Sequence, residues 1–228
     1  HNKVWQWEEL PDGIRFSLYS PDGEGGFPGN IRVITDYRFN EDNELSVRHY
    51  AETDCATYIN MTNHAYFNLC GKGKKITEHR LHIPADRILD TTPAFIPTGK
   101  RMNVKNTPFD FTSLKPIGTD LYADHEQLLW NKGYNHCYIL KDEISVEMLE
   151  AASLYEPVTG RKMTVMTDLP AVLLYTAGYY ERPDTAVCLE TQFYPDTPSH
   201  SDFPSCLVLP EKAYEHCTLF HFQVQKEE

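Results

Sequence analysis

The chain reads as all-β, a large antiparallel β-sandwich, on three observations. Its patterned runs alternate apolar and polar residues with a period of two, not the 3.6 of a helix. Clusters of turn-forming residues separate those runs. The 15 prolines and 12 glycines are spread through all 228 residues, which leaves long helices little room.

Taken in order, Ile14, Phe16 and Leu18 alternate with Arg15, Ser17 and Tyr19, as in a strand with one face toward a core. Ser20-Pro21-Asp22-Gly23 then supplies a proline, an Asx side chain and a glycine in tight-turn order, and Gly25-Gly26-Phe27-Pro28-Gly29 extends the turn. Alternation resumes over Ile31, Val33, Thr35, Tyr37 and Phe39. It passes a hairpin loop at Asn40-Glu41-Asp42-Asn43 and continues through Leu45, Val47 and His49. Thr57-Tyr58-Ile59 reads as a short buried strand. From Ile83 to Phe111 an apolar stretch is broken by Pro84, Pro93, Pro97 and Pro108, and we expect an irregular extended ribbon wrapping the sheets. Ala123 to Trp130 is the one segment that predicts a helix, a short one. Near the end Thr218, Phe220, Phe222 and Val224 oppose Cys217, Leu219, His221 and Gln223. No repeat, low-complexity tract or linker divides the chain, so residues 1–228 are expected to form a single domain.

Acidic residues number 33 against 21 basic ones, a net charge of −12 at pH 7, which argues against nucleic acid and anionic membrane surfaces as partners. No run of about eighteen apolar residues occurs, so no membrane span is expected. The six cysteines, Cys55, Cys70, Cys137, Cys188, Cys206 and Cys217, contain no Cys-x-x-Cys pair and no metal-like clustering. We read them as mostly reduced, buried small hydrophobes with no metal, although their even number also allows disulfides; a cytoplasmic protein is expected, with a periplasmic or secreted one the alternative. The opening His1-Asn2-Lys3-Val4-Trp5 has neither initiator methionine nor signal peptide and enters a strand-like run at once, as though in the middle of a domain.

The candidate base is Glu190, at the end of the apolar run Cys188-Leu189-Glu190-Thr191-Gln192, where strand alternation sends it to the face opposite its neighbours. An exposed strand glutamate would fit the same run. Asn60-Met61-Thr62-Asn63-His64-Ala65-Tyr66-Phe67-Asn68 gathers amides, a histidine and two aromatics, a mixture suited to sugar hydroxyls and C–H faces. On composition alone a structural, hydrogen-bonding histidine is the commoner occupant of such a stretch. Asn60-Met61-Thr62 matches a glycosylation acceptor, but its strand-like flank argues against use. His79 and His82 would point to opposite faces of a strand, so no metal pair is expected from them. Gly133-Tyr134-Asn135-His136 stands at a strand entrance, and Pro195, Asp196, Pro198, Phe203 and Pro204 form a stiff loop after Glu190.

Together these stretches resemble the aldose 1-epimerase family, the galactose mutarotases, across nearly the whole chain. The Ser20–Gly29 turn, Thr62-Asn63-His64-Ala65-Tyr66-Phe67-Asn68-Leu69, Ile96-Pro97-Thr98-Gly99, Thr107-Pro108-Phe109-Asp110-Phe111, Gly133-Tyr134-Asn135-His136, and Cys188-Leu189-Glu190-Thr191-Gln192 with Phe203-Pro204-Ser205 follow in the family's order. The resemblance implies a galactose mutarotase-like supersandwich and exchange of the α and β anomers of a free monosaccharide such as glucose or galactose, with no cofactor. It makes Glu190 the general base and His64 the general acid, and puts Asn63, Tyr66, Asn135 and Leu173 at sugar-binding positions. Asn135 stands where the family usually has an Asp, and Leu173 where it often has a Gln. An Arg and a His-Gly-Gly loop of the family precede the span matched here. We therefore expect an N-terminally incomplete domain, the C-terminal two-thirds, with the remainder a separate segment or partner chain, or with this chain a fragment of a longer product. Other readings of the same residues are a noncatalytic carbohydrate-binding or regulatory protein, and a hexose-phosphate epimerase, which needs a basic pair near the pocket. A glycosidase using Glu190 with Asp196 would need the carboxylates about 5 to 9 Å apart.

Overall fold

The computed structural model describes residues 3–71, 74–144 and 146–225; His1 and Asn2 of the expected opening lie outside the described residues. The first four strands, β1 (Gln6–Leu10), β2 (Gly13–Ser20), β3 (Ile31–Phe39) and β4 (Glu44–Thr53), form a meander of hairpins. After β2 the Pro21-Asp22-Gly23 corner leads into a single 3-10 turn at Glu24–Gly26. Between β3 and β4 the Asn40 side-chain oxygen accepts from the N–H groups of Asp42 and Glu44, both at 3.0 Å, while Asn43 adopts φ 59°.

There follow β5 (Thr57–Tyr58), β6 (Arg80–His82), β7 (Arg87–Thr91), β8 (Pro97–Asn103), β9 (Lys115–Pro116) and the helix α1 (Glu126–Asn131). The chain continues through β10 (Asn135–Ile139), β11 (Leu149–Glu156), β12 (Arg161–Thr167), β13 (Ala171–Tyr175), β14 (Cys188–Gln192), β15 (Leu207–Val208) and β16 (Tyr214–Val224). Nine strands make one antiparallel sheet in the order β1-β2-β3-β4-β16-β12-β11-β6-β9, and five make a second, β14-β13-β10-β7-β8. The short β15 and β5 pair with each other.

The main core lies between the large sheets. Val47, Leu81, Leu154, Met163, Val165 and Phe220 enter from the nine-stranded sheet. Ile88, Tyr138, Val172, Leu174 and Leu189 enter from the other, and Phe109 and Phe111 fill the middle from the β8–β9 connection. Each buried Leu, Ile, Val or Phe stabilises the fold by about 1.5–3 kcal/mol relative to an exposed one. The outer face of the five-stranded sheet is covered as well: Leu89, Cys137, Ile139 and Ala171 pack with Tyr194 and Phe203 of the loop after β14.

The structure departs from the sequence reading in four places. The stretch from Ile83 to Phe111 is no irregular ribbon but contains the β7–β8 hairpin, because Pro97 opens the edge strand β8 and Pro93 sits in the turn, where neither removes a ladder hydrogen bond. The helix begins at Glu126, since extended His125 ends the preceding turn and caps the Gln127 N–H through its ring nitrogen at 3.3 Å. None of the residues of β1 and β2 is fully buried, so the alternation in β2 does not sort into core and solvent faces. All six cysteines are free, but Cys55 is exposed. Among the described residues no helix is long and apolar enough to cross a membrane.

Candidate active site

β14 is buried from Cys188 to Gln192 and is a terminal strand of the five-stranded sheet. Its ladder sets Glu190 opposite Leu173 and Cys188 opposite Tyr175, and β13 in turn sets Leu173 opposite Cys137 and Tyr175 opposite Asn135. Directly paired residues share a face and neighbours along a strand do not. Glu190, Leu173, Cys188, Tyr175 and Asn135 therefore lie on one side, while Leu189, Leu174 and His136 face the core between the sheets. Parity in the strand is what delivers Glu190 to a site.

Its partner comes from segment 60–67, which runs antiparallel along the outer edge of β14. Two tethers fix the register. Phe67 and Val187 exchange both backbone hydrogen bonds at 2.9 Å, and the Asn60 amide clamps Phe193, accepting from its N–H at 2.9 Å and donating to its C=O at 3.1 Å. Carried back from the Phe67–Val187 pair, that register sets Tyr66 opposite Cys188 and His64 opposite Glu190. His64 Nε2 lies 3.5 Å from Glu190 Oε1. The His64 ring stacks on Tyr66 at 5.0 Å and 26°, and Tyr66 leans on Tyr180 at 5.2 Å. Tyr175 closes the group, edge-on to His64 at 6.1 Å.

The two members of the pair differ in surroundings. Glu190 is 6 % exposed, whereas Tyr66 is 44 % exposed and the His64 side chain is open to solvent. Burial pushes the Glu190 carboxyl above its ordinary range, partly countered by His64. Burial also raises the Cys188 thiol, with the Glu190 charge adding to it. Among the described residues no Lys or Arg pairs with Glu190, and only His64 brings a donor to its carboxylate.

The other expected site residues divide. Leu173 stands beside Glu190 on the site face. Asn135 shares that face two strands from β14, about 10 Å away by strand spacing. The Asn63 oxygen accepts from the Tyr37 hydroxyl at 3.1 Å, which ties it to the nine-stranded sheet. Of the Gly133–His136 quartet only Asn135 faces the site. Tyr134 is buried and donates to the Pro108 carbonyl at 2.9 Å; His136 is buried, accepts from the Asn135 N–H at 2.9 Å and is pushed down to about 3, a neutral core residue. Gly133 is required there: at φ 125° a Cβ would come within 2.6 Å of Thr176 Oγ1.

Asp196 belongs to the 3-10 corner after β14, at φ 57°, where its carboxylate accepts from the Ser199 hydroxyl at 2.8 Å. The Asn60 amide is occupied by Phe193, and buried His79 accepts from the Leu69 N–H at 3.0 Å. Sequence reasoning missed Asn60 as a clamp and Cys188, Tyr175 and Tyr180 as site residues. Only Cys188 carried a signal, its position two residues before Glu190. With His64 and Glu190 it offers ring nitrogen, sulfur and carboxylate oxygen within 4.8 Å of one another, a cluster hidden by the 123 positions that lie between residues 64 and 188.

The family model for aldose 1-epimerase matches residues 1–221. Galactose mutarotase of Rattus norvegicus is 34 % identical over 233 residues, and that of Bos taurus 35 % over 235; each match covers 97 % of this chain and 66 % of the relative. The aldose 1-epimerase of Escherichia coli K12 is 32 % identical over 221 residues, 92 % of this chain and 63 % of that protein. The chain thus spans just under two thirds of the length of these relatives. Among solved structures, galactose 1-epimerase from Lactobacillus acidophilus superposes with a TM-score of 0.84 at 26 % identity, over 98 % of this chain and 67 % of that one. An aldose epimerase homologue from C. elegans gives 0.86 at 24 % identity, over 98 % and 70 %, a likeness of fold.

Proposed function

The chain belongs to the aldose 1-epimerase family, and from that premise we propose that its domain interconverts the α and β anomers of free aldoses such as glucose or galactose. The observation that carries the reading is the facing of Glu190 and His64 across 3.5 Å at the outer edge of β14. The anomeric hydroxyl oxygen and the ring oxygen of a pyranose share one carbon, so adjacent acid and base can serve both. Glu190, as carboxylate, takes the proton from the anomeric hydroxyl while protonated His64 delivers one to the ring oxygen. The C1–ring oxygen bond breaks, an aldehyde forms, the C1–C2 bond rotates, and closure on the other face returns both protons. Tyr66 and Tyr175 offer ring faces to sugar C–H surfaces, and Asn63 and Asn135 offer amides to hydroxyls.

Burial of the carboxylate supports the same assignment, because a base poised nearer neutral pH transfers protons more effectively. Leu173, opposite Glu190, presents no hydrogen-bonding group, which favours a narrowed sugar preference or the alternative of a noncatalytic sugar-binding protein. A hexose-phosphate substrate would need a Lys or Arg pair near the pocket, and none stands beside the site motifs in the sequence. NMR exchange between anomeric protons of glucose and galactose tests the proposal: exchange above background is expected. Saturable sugar binding without exchange refutes catalysis and leaves the binding protein.

A further inference from the structure

We propose that His64, Cys188 and Glu190 form a binding site for a borderline-soft divalent cation, Zn2+ above all, and that the cation shuts the proton-transfer pair. The donors are a ring nitrogen, a thiol sulfur and a carboxylate oxygen, all within 4.8 Å of one another. Zinc takes this N, S and O set, whereas Mg2+ and Ca2+ prefer oxygen alone. Bond lengths of about 2.0–2.3 Å put the donors of a tetrahedral shell roughly 3.3–3.8 Å apart. The His64–Glu190 separation of 3.5 Å already meets that spacing. Closing the sulfur arm requires a shift of about 1 Å, within reach of side-chain rotation.

A second observation points the same way. Glu190 is 6 % exposed and pairs with His64 at 3.5 Å, and beside it the fully buried Cys188 thiol makes no hydrogen bond among the described residues. Buried polar groups ordinarily have their partners. Cys188 and Glu190 are held by one ladder, His64 by the tethered segment 60–67, and its open side chain gives a cation a way in. On binding, the thiol proton passes to solvent and a sulfur–metal bond takes its place. With one carboxylate oxygen and one ring nitrogen on the metal, Glu190 is a far weaker base and His64 has no proton to give at the coordinated nitrogen. That consequence rests on the mutarotase reading, whereas the site itself does not.

The test is titration of the EDTA-stripped chain with Zn2+ by calorimetry and with Co2+ by absorption. One ion per chain, a sulfur-to-cobalt charge-transfer band, and anomer exchange abolished by Zn2+ and restored by EDTA are expected. Cys188→Ala and the closer mimic Cys188→Ser, each with a native circular dichroism spectrum, should weaken Zn2+ binding by more than about 100-fold, beyond the roughly 10–100-fold of an outer-shell loss, and should lose the band. No stoichiometric binding, or equal affinity in both Cys188 variants, overturns the site. Binding with exchange unaffected overturns the shut-down. Binding in a protein that shows no exchange when metal-free keeps the site and removes the mutarotase reading instead.

Discussion

Glutamine in place of Glu190 keeps the length and planar end of the side chain but removes the proton acceptor. His64, the charged partner of that carboxylate, serves as the acid in this scheme, and the glutamine amide offers no basic oxygen to take the anomeric proton in its place. General acid–base catalysis contributes about 10²–10⁴-fold, and we expect kcat for anomer exchange to fall about 1000-fold, roughly 4 kcal/mol of barrier. The stability effect should have the opposite sign. The folded-state pKa of Glu190 is raised, so the folded protein holds that proton more tightly than the unfolded chain does. Between the unfolded value of 4.5 and the raised folded one, stability falls as pH rises. At neutral pH the buried charge is thus a burden, only partly offset by the neighbouring, half-open His64. Glu190→Gln should melt at the same temperature as the parent or above it. Polarimetric rates on α-galactose and a calorimetric melt read both halves. Activity within tenfold of the parent, or a melting temperature lowered by several degrees, would refute the assignment of Glu190 as a strained base.

Three further outcomes are expected. Asn135→Asp restores a charge-assisted hydrogen bond worth about 1 kcal/mol, so KM for the preferred aldose should drop about fivefold while kcat holds; an unchanged KM across several sugars removes Asn135 from the site. Asn60→Ala strips the Phe193 N–H of its partner and frees one end of the His64 segment, so urea unfolding should show a loss of about 1–3 kcal/mol and kcat should fall with it. Burial holds His136 at about 3 and His49 at about 4, against 6.5 when unfolded. The unfolded chain therefore binds protons that the folded one refuses, and each site should cost about 2 kcal/mol between pH 7 and 5, full stability lying above 6.5. His136→Asn should flatten that slope by its share, and an unchanged slope contradicts a neutral buried His136.

The hairpins of β2, β3 and β4 were legible because each strand pairs with its sequence neighbour and Asn40 to Asn43 turn the chain, whereas β16 showed its alternation but not its remote partners β4 and β12. The parity of Glu190 was legible for the same reason. Residues 83–111 were misread because proline was taken as a breaker throughout, when Pro97 begins a strand and Pro93 makes its turn. The meeting of His64 with Glu190 depends on a register between segments over a hundred residues apart, set by Phe67 with Val187 and by Asn60 with Phe193. No local pattern encodes such a register. The family motifs named both residues without saying why they touch. Tyr175 follows from the β13–β14 ladder and was invisible before it, while Cys188 was hinted at only by its place two residues before Glu190.

Segment 60–67 does more than bring a histidine to a glutamate. β14 ends its sheet, and a terminal strand offers a row of unpaired amides and carbonyls to any passing chain. The segment lies across that row, bonded at both ends but too irregular to offer a fresh regular edge of its own. The loop that supplies the acid is thereby also a guard against self-association. A lesion that loosens it, at Asn60 or Phe67, should cost both properties together, so that loss of turnover and a tendency to aggregate arrive in the same variants.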